Sequence, residues 1–404
     1  MVSQRFGWYE IDDALIVVDA ASGEALFLNQ SASILWLALT EAPCSEAELA
    51  DILAGYFPDL PSGQATGITA LLGDWEAKGL CRQGASGRWE VNGDPSAGAD
   101  DARSDKATAD WRGGGAQLVW SRGIRLHVET VAVEIWVTPD HASREGVERL
   151  QGFLGGLPQA EGPGQSRLAI WIDGPQCHLL LDGVHRTTQG LSDATGFLFQ
   201  ALVNHAYPEC RNPITLHAGA IGNAGGTIIM PAISGSGKTT LTAYLAAQGW
   251  RYGGDDIIGL ARAETPDAGL LLLPLPSALG IKTGSWALLA PHFPALRDLP
   301  EVRYEGKQVR YLPVPASHHI GPEHQGRRPI ALVFPRYVAG SACSLRGISE
   351  GEALRSILES GSGASASPDL DGFATLIALI RSVPRYRLEY DRLDDAVREL
   401  AQLA

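Results

Sequence analysis

The chain has 404 residues, 45% of them apolar, which is enough for more than one hydrophobic core and too long for a single compact domain. A formal net charge of −14 argues against a nucleic-acid backbone as partner, because a polyanion needs a basic face, but not against a nucleotide held at one local site. No stretch approaches the roughly eighteen unbroken apolar residues of a membrane span. No signal peptide opens the chain. The five cysteines (Cys44, Cys81, Cys177, Cys210 and Cys343) are odd in number and widely spaced, so they predict reduced thiols in a cytoplasmic protein without a membrane partner.

Phe6 to Ile11, Ala14 to Val18 and Ala25 to Leu28 read as three short strands, with turns at Asp12-Asp13 and over Ala20 to Glu24. Asn29 to Ser31 can cap a helix through Thr40, and Ser45 with Glu48 makes a capping box for a second helix to about Tyr56. Ile68, Leu71, Leu72 and Trp75 at helical spacing predict a third helix over 65–78, stopped by Gly79, and Leu80 to Val91 returns as a small hairpin wing. Three helices with strands at both ends make a winged-helix-like module. Its third helix sets Asp74 and Glu76 against Lys78 and so lacks the basic face of a DNA reader. The strand-turn-strand opening, the passage Leu26 to Trp36 and the Gly79-Leu80 ending resemble the PqqD-like family of peptide-binding modules. That resemblance implies capture of the leader of a ribosomally made precursor peptide. The leader would add as a strand beside Ala25, Leu26, Phe27 and Leu28 and pack on Leu71 and Trp75 of the third helix.

Residues 92–115, rich in Gly, Ala, Ser and Asp, read as a flexible linker. Beyond it, strands are expected at Gln117 to Trp120, Ile124 to Val128, Val131 to Val137, Leu168 to Ile172 and His178 to Leu181, with helices at Arg144 to Leu154 and Asp193 to Ala206. This region carries no chemistry that stands above packing.

The run from Gly225 to Asp256 organises the rest. A β-branched strand from Thr227 to Met230 is followed by a Gly/Ser-rich loop and a helix from Lys238 to Gly249, the layout of a phosphate-binding P-loop. The first glycine of the usual pattern is replaced by Ala232. Ser234, Gly235, Ser236, Gly237, Lys238, Thr239 and Thr240 are the candidate nucleotide-binding residues: glycines let successive amides face one centre, Lys238 reaches the β- and γ-phosphates, and the Thr239 hydroxyl can hold Mg²⁺. The adjacent carboxylates Asp255 and Asp256 suit phosphoryl transfer, one as a metal ligand and the other as acceptor of the attacking hydroxyl's proton.

His217-Ala218-Gly219-Ala220, the P-loop, Gly249-Trp250 and Asp255-Asp256 together resemble the HPr kinase/phosphorylase family, and more closely the HPr-kinase-related proteins found with peptide-modification enzymes. The resemblance implies a fold similar to phosphoenolpyruvate carboxykinase, with Asp255 as base, His217 beside it, and Asp256 with Thr239 as metal ligands, Asp255 being close enough to share that role. Leu270 to Leu275 is a buried strand, and Leu279 to Lys282 leads to a helix around Ser285 to Leu289. Leu275 and Ala278 depart from the family pattern, which weakens any reverse, phosphorolytic activity; Lys282 is either a phosphate contact or a solvated lysine. Arg303, Lys307 and Arg310 lie in a polar hairpin, and Arg327 to Tyr337 matches the related kinases' last core strand, where an arginine such as Arg328 or Arg336 could clamp phosphate. A helix capped by Ser349 with Glu352, an apolar helix over Gly372 to Ser382, a strand over Pro384 to Tyr390 and an amphipathic helix from Asp394 close the chain.

The expected fold is therefore α+β and α/β: a winged-helix-like PqqD-type module over 1–91, the linker 92–115, and a P-loop kinase core resembling HPr kinase over 116–404. The expected activity is ATP- and Mg²⁺-dependent phosphorylation of a Ser or Thr hydroxyl on a precursor peptide, with its leader on the N-terminal module and its core at the kinase domain. A homo-oligomer is left open. Two other readings stand beside it: a small-molecule or nucleotide kinase with a vestigial N-terminal domain, and a non-catalytic nucleotide-dependent scaffold.

Overall fold

The computed structural model describes residues 5–12, 14–20, 24–57, 65–92, 120–125, 132–138, 144–157, 166–173, 176–181, 184–188, 191–210, 212–263, 269–304, 306–321, 327–362 and 370–403. The expected linker lies outside them except for Asn92. The chain forms two compact units, 1–102 with 367–370, and 103–366 with 371–404.

In the first unit, β1 (Phe6–Ile11), β2 (Ala14–Asp19) and β3 (Ala25–Leu28) form an antiparallel meander in the order β1-β2-β3. Three helices follow, α1 (Gln30–Glu41), α2 (Glu46–Tyr56) and α3 (Ala65–Ala77), then the hairpin β4 (Cys81–Gln83) and β5 (Trp89–Val91). The helix starts are set by local chemistry. Asn29 Oδ1 accepts from the Ala32 amide at 2.9 Å, and Ser45 and Glu48 satisfy each other's backbone amides. Hydrogen bonds from Ser45 and Arg88 hold the exposed Glu48 carboxyl down at about 2. The core is aromatic at its centre, where Trp36 sits edge-on to Phe6 at 5.8 Å and to Trp75 at 5.6 Å.

The second unit is a mixed α/β assembly. Strands β6 (Trp120–Arg125), β7 (Ala132–Thr138), β8 (Ser166–Asp173), β9 (Gln176–Leu181) and β10 (Val184–Thr188) form a five-stranded sheet with only β7 and β8 parallel. Helices α4 (Arg144–Leu154) and α5 (Leu191–Ala206) supply its apolar partners, with Phe153 edge-on to Phe199 at 5.9 Å. Of the strands expected at 117–120 and 124–128, residues 117–119 and 126–128 lie outside the described residues, and Trp120, Ile124 and Arg125 belong to the one strand β6.

The catalytically suggestive segment lies in a six-stranded sheet ordered β14-β12-β13-β20-β22-β21. Its members are β12 (Ala218–Asn223), β13 (Gly226–Pro231), β14 (Arg251–Gly254), β20 (Pro329–Tyr337), β21 (Ser344–Gly347) and β22 (Arg385–Tyr390), with β20 parallel to both β13 and β22. Helix α6 (Lys238–Ala247) leaves the end of β13 and buries Leu241 and Leu245 with Ile228 and Met230. Strands β11 (Ile214–Leu216), β15 (Ile258–Arg262) and β16 (Leu270–Leu273) make one small sheet. Strands β17 (Leu279–Lys282), β18 (Val302–Tyr304) and β19 (Lys307–Leu312) make another, with α7 (Trp286–Leu289) between β17 and β18. Helices α8 (Glu350–Ile357), α9 (Leu370–Ser382) and α10 (Leu393–Ala401) complete the chain, α8 through a Ser349–Glu352 capping box.

No described helix is long and apolar enough to cross a membrane. All five cysteines are free thiols, and burial pushes Cys177 up to about 11 and Cys81 up to about 12.

Candidate active site

Strand β13 delivers the chain at Pro231 to a loop whose conformation depends on two glycines. Gly235 and Gly237 have φ of 92° and 91°, in the left-handed region where a side chain is strained. Gly237 also lacks room: a Cβ there would stand 2.4 Å from the Tyr390 hydroxyl. The Tyr390 hydroxyl donates to the Gly237 carbonyl at 3.2 Å, and the Tyr337 amide donates to the Ser236 carbonyl at 2.8 Å. The ends of β20 and β22 therefore brace the loop from outside. Ser236 Oγ accepts at 3.3 Å from the amide of Lys238, the first residue of α6.

A charged cluster forms under the first turn of α6. Lys238 Nζ donates to Asp255 Oδ1 at 2.7 Å and to Asp256 Oδ1 at 3.1 Å. Asp255 is 1% exposed, accepts at 3.5 Å from Thr242, and has a second oxygen, Oδ2, buried with no hydrogen-bond partner among the described residues. Asp256 follows with φ of 67°, a left-handed backbone at a non-glycine residue, and turns its carboxylate outward. His217 Nε2 stands 3.6 Å from Asp256 Oδ1, while His217 Nδ1 lies 2.5 Å from the Ser360 carbonyl. A carbonyl only accepts, so Nδ1 carries a proton and donates to it, which leaves Nε2 turned toward Asp256.

Burial opposes the charge on Asp256, but the Lys238 ammonium and His217 outweigh it and hold the carboxyl well below the ordinary range. Burial likewise opposes the Lys238 charge, yet the two aspartates raise its pKa above the ordinary 10.5. Lys282, which donates to Ser234 Oγ at 3.2 Å, is pushed down by burial and by Lys307.

These groups border a cavity of about 870 Å³. Of the residues expected from sequence, Ser234, Gly235, Ser236, Gly237, Lys238, Thr239, Thr240, Lys282, His217 and Asp256 line it. Asp255 does not: it lies beneath Lys238, and the carboxylate that faces the cavity is Asp256. The base role expected for Asp255 is thus at odds with its burial. Arg328 and Arg336 are also off the cavity wall, Arg336 pairing with Glu389 at 3.4 Å on the exposed side of the sheet. Arg328, just before β20, and Arg336, near its end, are both exposed, and neither reaches the cavity as a phosphate clamp.

Sequence reasoning missed Thr242, Ser360, Tyr337, Tyr390 and Asp391. Thr242 sits one helical turn after Lys238 and was open to detection by spacing; the others come from distant segments. Among the described residues, no three His, Cys, Asp or Glu side chains converge as a metal cage.

In the N-terminal unit, β3 pairs only with β2 among the described residues and so presents one free edge. Ala25, Leu26 and Phe27 are half-buried on it, Leu28 is buried, and Leu71 is half-buried on α3. Trp75 corrects expectation: at 1% exposed it belongs to the core, its ring locked against Trp36, and offers no surface to a peptide.

No protein-family model matches the sequence, and no curated protein matches it. Among solved structures the chain has a weak and partial similarity to the Hpr(Ser) kinase/phosphatase from Coxiella burnetii. The two are 9% identical over 47% of this chain and 96% of that one, with a TM-score of 0.23.

Proposed function

We propose that the chain is an ATP-dependent kinase that transfers a phosphoryl group to a Ser or Thr hydroxyl of a ribosomally made precursor peptide, whose leader is held by the N-terminal unit. The observation that carries this reading is the convergence of Lys238, Asp256 and His217 on the wall of one cavity at the N-terminus of α6, with Asp255 buried beneath Lys238. Amides of the loop from Gly235 to Thr239 and the positive end of α6 suit the triphosphate. Lys238, anchored by Asp255, neutralises charge on the moving phosphoryl group.

Thr239 and Asp256 are the residues that would hold Mg²⁺. They supply hard oxygen ligands from the cavity wall, and Asp256 is held ionised as a metal ligand must be. The ion when bound neutralises phosphate charge, and its remaining ligands come from phosphate and water, the usual arrangement for Mg²⁺.

The acceptor's hydroxyl oxygen forms a bond to the γ-phosphorus, the bridging P–O bond to the β-phosphate breaks, and ADP leaves. The hydroxyl proton passes to His217 Nε2, whose ring is oriented by the Nδ1 donation to the Ser360 carbonyl, and the resulting imidazolium pairs with Asp256. Asp255 keeps Lys238 in place rather than taking the proton. On the N-terminal unit, the apolar edge of β3 suits addition of a leader strand, with Ala25, Leu26, Phe27 and Leu71 as its contacts.

The test is mass spectrometry of candidate precursor peptides incubated with the protein and Mg-ATP. A gain of one phosphoryl group on a Ser or Thr with wild type and none with Lys238→Ala is expected. Equal transfer by Lys238→Ala would refute the site assignment.

A further inference from the structure

We infer that Tyr337 and Asp391 form the base subsite of this cavity and select a purine carrying an exocyclic amino group. The inference rests on the reading of 232–240 as a triphosphate-binding loop. The parallel register of β20 and β22 sets Tyr337 opposite Tyr390, with their rings edge-on at 6.0 Å, so Asp391 emerges at the same end of the sheet. The two tyrosines are fastened to the loop through the Ser236 and Gly237 carbonyls but differ in exposure. Tyr390 is buried, whereas Tyr337 is 51% exposed.

Large exposed apolar groups are few. Six are found among the described residues, and three of them, Ile233, Leu288 and Tyr337, line this one cavity. Apolar surface concentrated beside a phosphate loop marks a place for the unphosphorylated part of a ligand.

Direction follows from charge. His217 Nε2 and Asp256 Oδ1 stand 3.6 Å apart on the cavity wall, and the phosphoryl group that reacts must lie with them. The remainder of the donor extends away from the carboxylates, along the loop toward Gly237, and there meets the Tyr337 ring. A planar base stacks on such a ring whatever its sequence of ring atoms.

Asp391 adds selectivity. It lines the cavity and has no hydrogen-bond or ion-pair partner among the described residues. An ionised carboxylate only accepts, so it rewards a base that offers an N–H₂ donor.

The experiment measures binding by calorimetry, with Mg²⁺ present, on the full-length protein. Three probes are used: ATP, purine-riboside triphosphate, which lacks the amine, and inorganic tripolyphosphate, which lacks the nucleoside. Tyr337→Ala should weaken ATP about 10-fold to 100-fold and leave tripolyphosphate within about 2-fold, while Tyr337→Phe should stay near wild type. Wild type should prefer ATP over purine-riboside triphosphate several-fold, and Asp391→Ala should erase that preference. The subsite is overturned if Tyr337→Ala leaves ATP affinity unchanged, if it weakens tripolyphosphate as much as ATP, or if Asp391→Ala leaves the preference intact. If wild type binds neither ATP nor tripolyphosphate, the loop reading itself falls and the subsite with it.

Discussion

Replacing Lys238 with Met keeps the volume of the side chain and removes only its charge, so it tests the cluster under α6 directly. In the wild-type site Lys238 is 5% exposed and its ammonium meets Asp255, itself 1% exposed, at 2.7 Å. Lys238→Met therefore leaves a buried carboxylate whose other oxygen already has no partner among the described residues. Removing one member of a buried pair costs about 3–5 kcal/mol. At the roughly 2 °C per kcal/mol of a large domain, the melting temperature should fall by about 6–10 °C. Lys238→Met combined with Asp255→Asn removes the orphaned charge as well and should recover most of that loss. Phosphoryl transfer should be lost in both variants, because the cation at the first turn of α6 that would neutralise the moving phosphoryl group is gone. Thermal unfolding followed by circular dichroism, with and without denaturant, reads stability, and single-turnover assays read activity. A single variant as stable as wild type, or a double variant no more stable than the single, would refute the buried ion pair as the organiser of the site.

Gly219→Ala places a methyl group 2.9 Å from Thr242 Oγ1 and 3.1 Å from Asp255 Oδ1, and should cost about 1–3 kcal/mol of stability and lower kcat without unfolding the chain, as denaturant titration with kinetics will show. His217→Gln should lower kcat by about 10²-fold to 10⁴-fold and leave ATP affinity nearly unchanged; parallel loss of affinity in calorimetry would remove His217 from the proton path. The depressed Asp256 carboxyl contributes stability that is present above its ordinary 3.8 and lost as pH falls through the lower folded value, whereas the raised Lys238 contributes below 10.5 and loses it at higher pH. Their joint contribution should therefore be flat across neutral pH, and the stability gap between wild type and Asp256→Asn should close only in strong acid. Deleting residues 1–90 should raise KM for a full precursor while a leaderless peptide is turned over at the same basal rate; equal KM for both proteins would end the leader-binding reading.

Some of this molecule is decided within a few residues of chain and was legible there. Asn29, Ser45 with Glu48, and Ser349 with Glu352 start helices by bonding amides three residues away, and the structure has all three caps. Gly235 and Gly237 turn the loop because only glycine takes their φ cheaply, and Lys238, Asp255 and Asp256 are brought together over a span of one helix and one strand. What needed the tertiary structure are the choices made by packing between segments far apart. Strand β12 is hidden from periodicity by its glycines, which answer to tertiary neighbours: Gly219 lets Thr242 of α6 and Asp255 approach, and Gly222 lies against Thr227 and Ile320. Trp75 has the helical spacing of a ligand-facing residue and of a core residue alike, and only the position of Trp36 assigns it to the core. The orientation of the His217 ring depends on a carbonyl 143 residues away, and the Tyr337 ring reaches the loop only because β20 and β22 end together. Short-range rules act through the backbone's own hydrogen bonds, which a sequence window contains; burial and convergence depend on which surfaces meet, which no window contains.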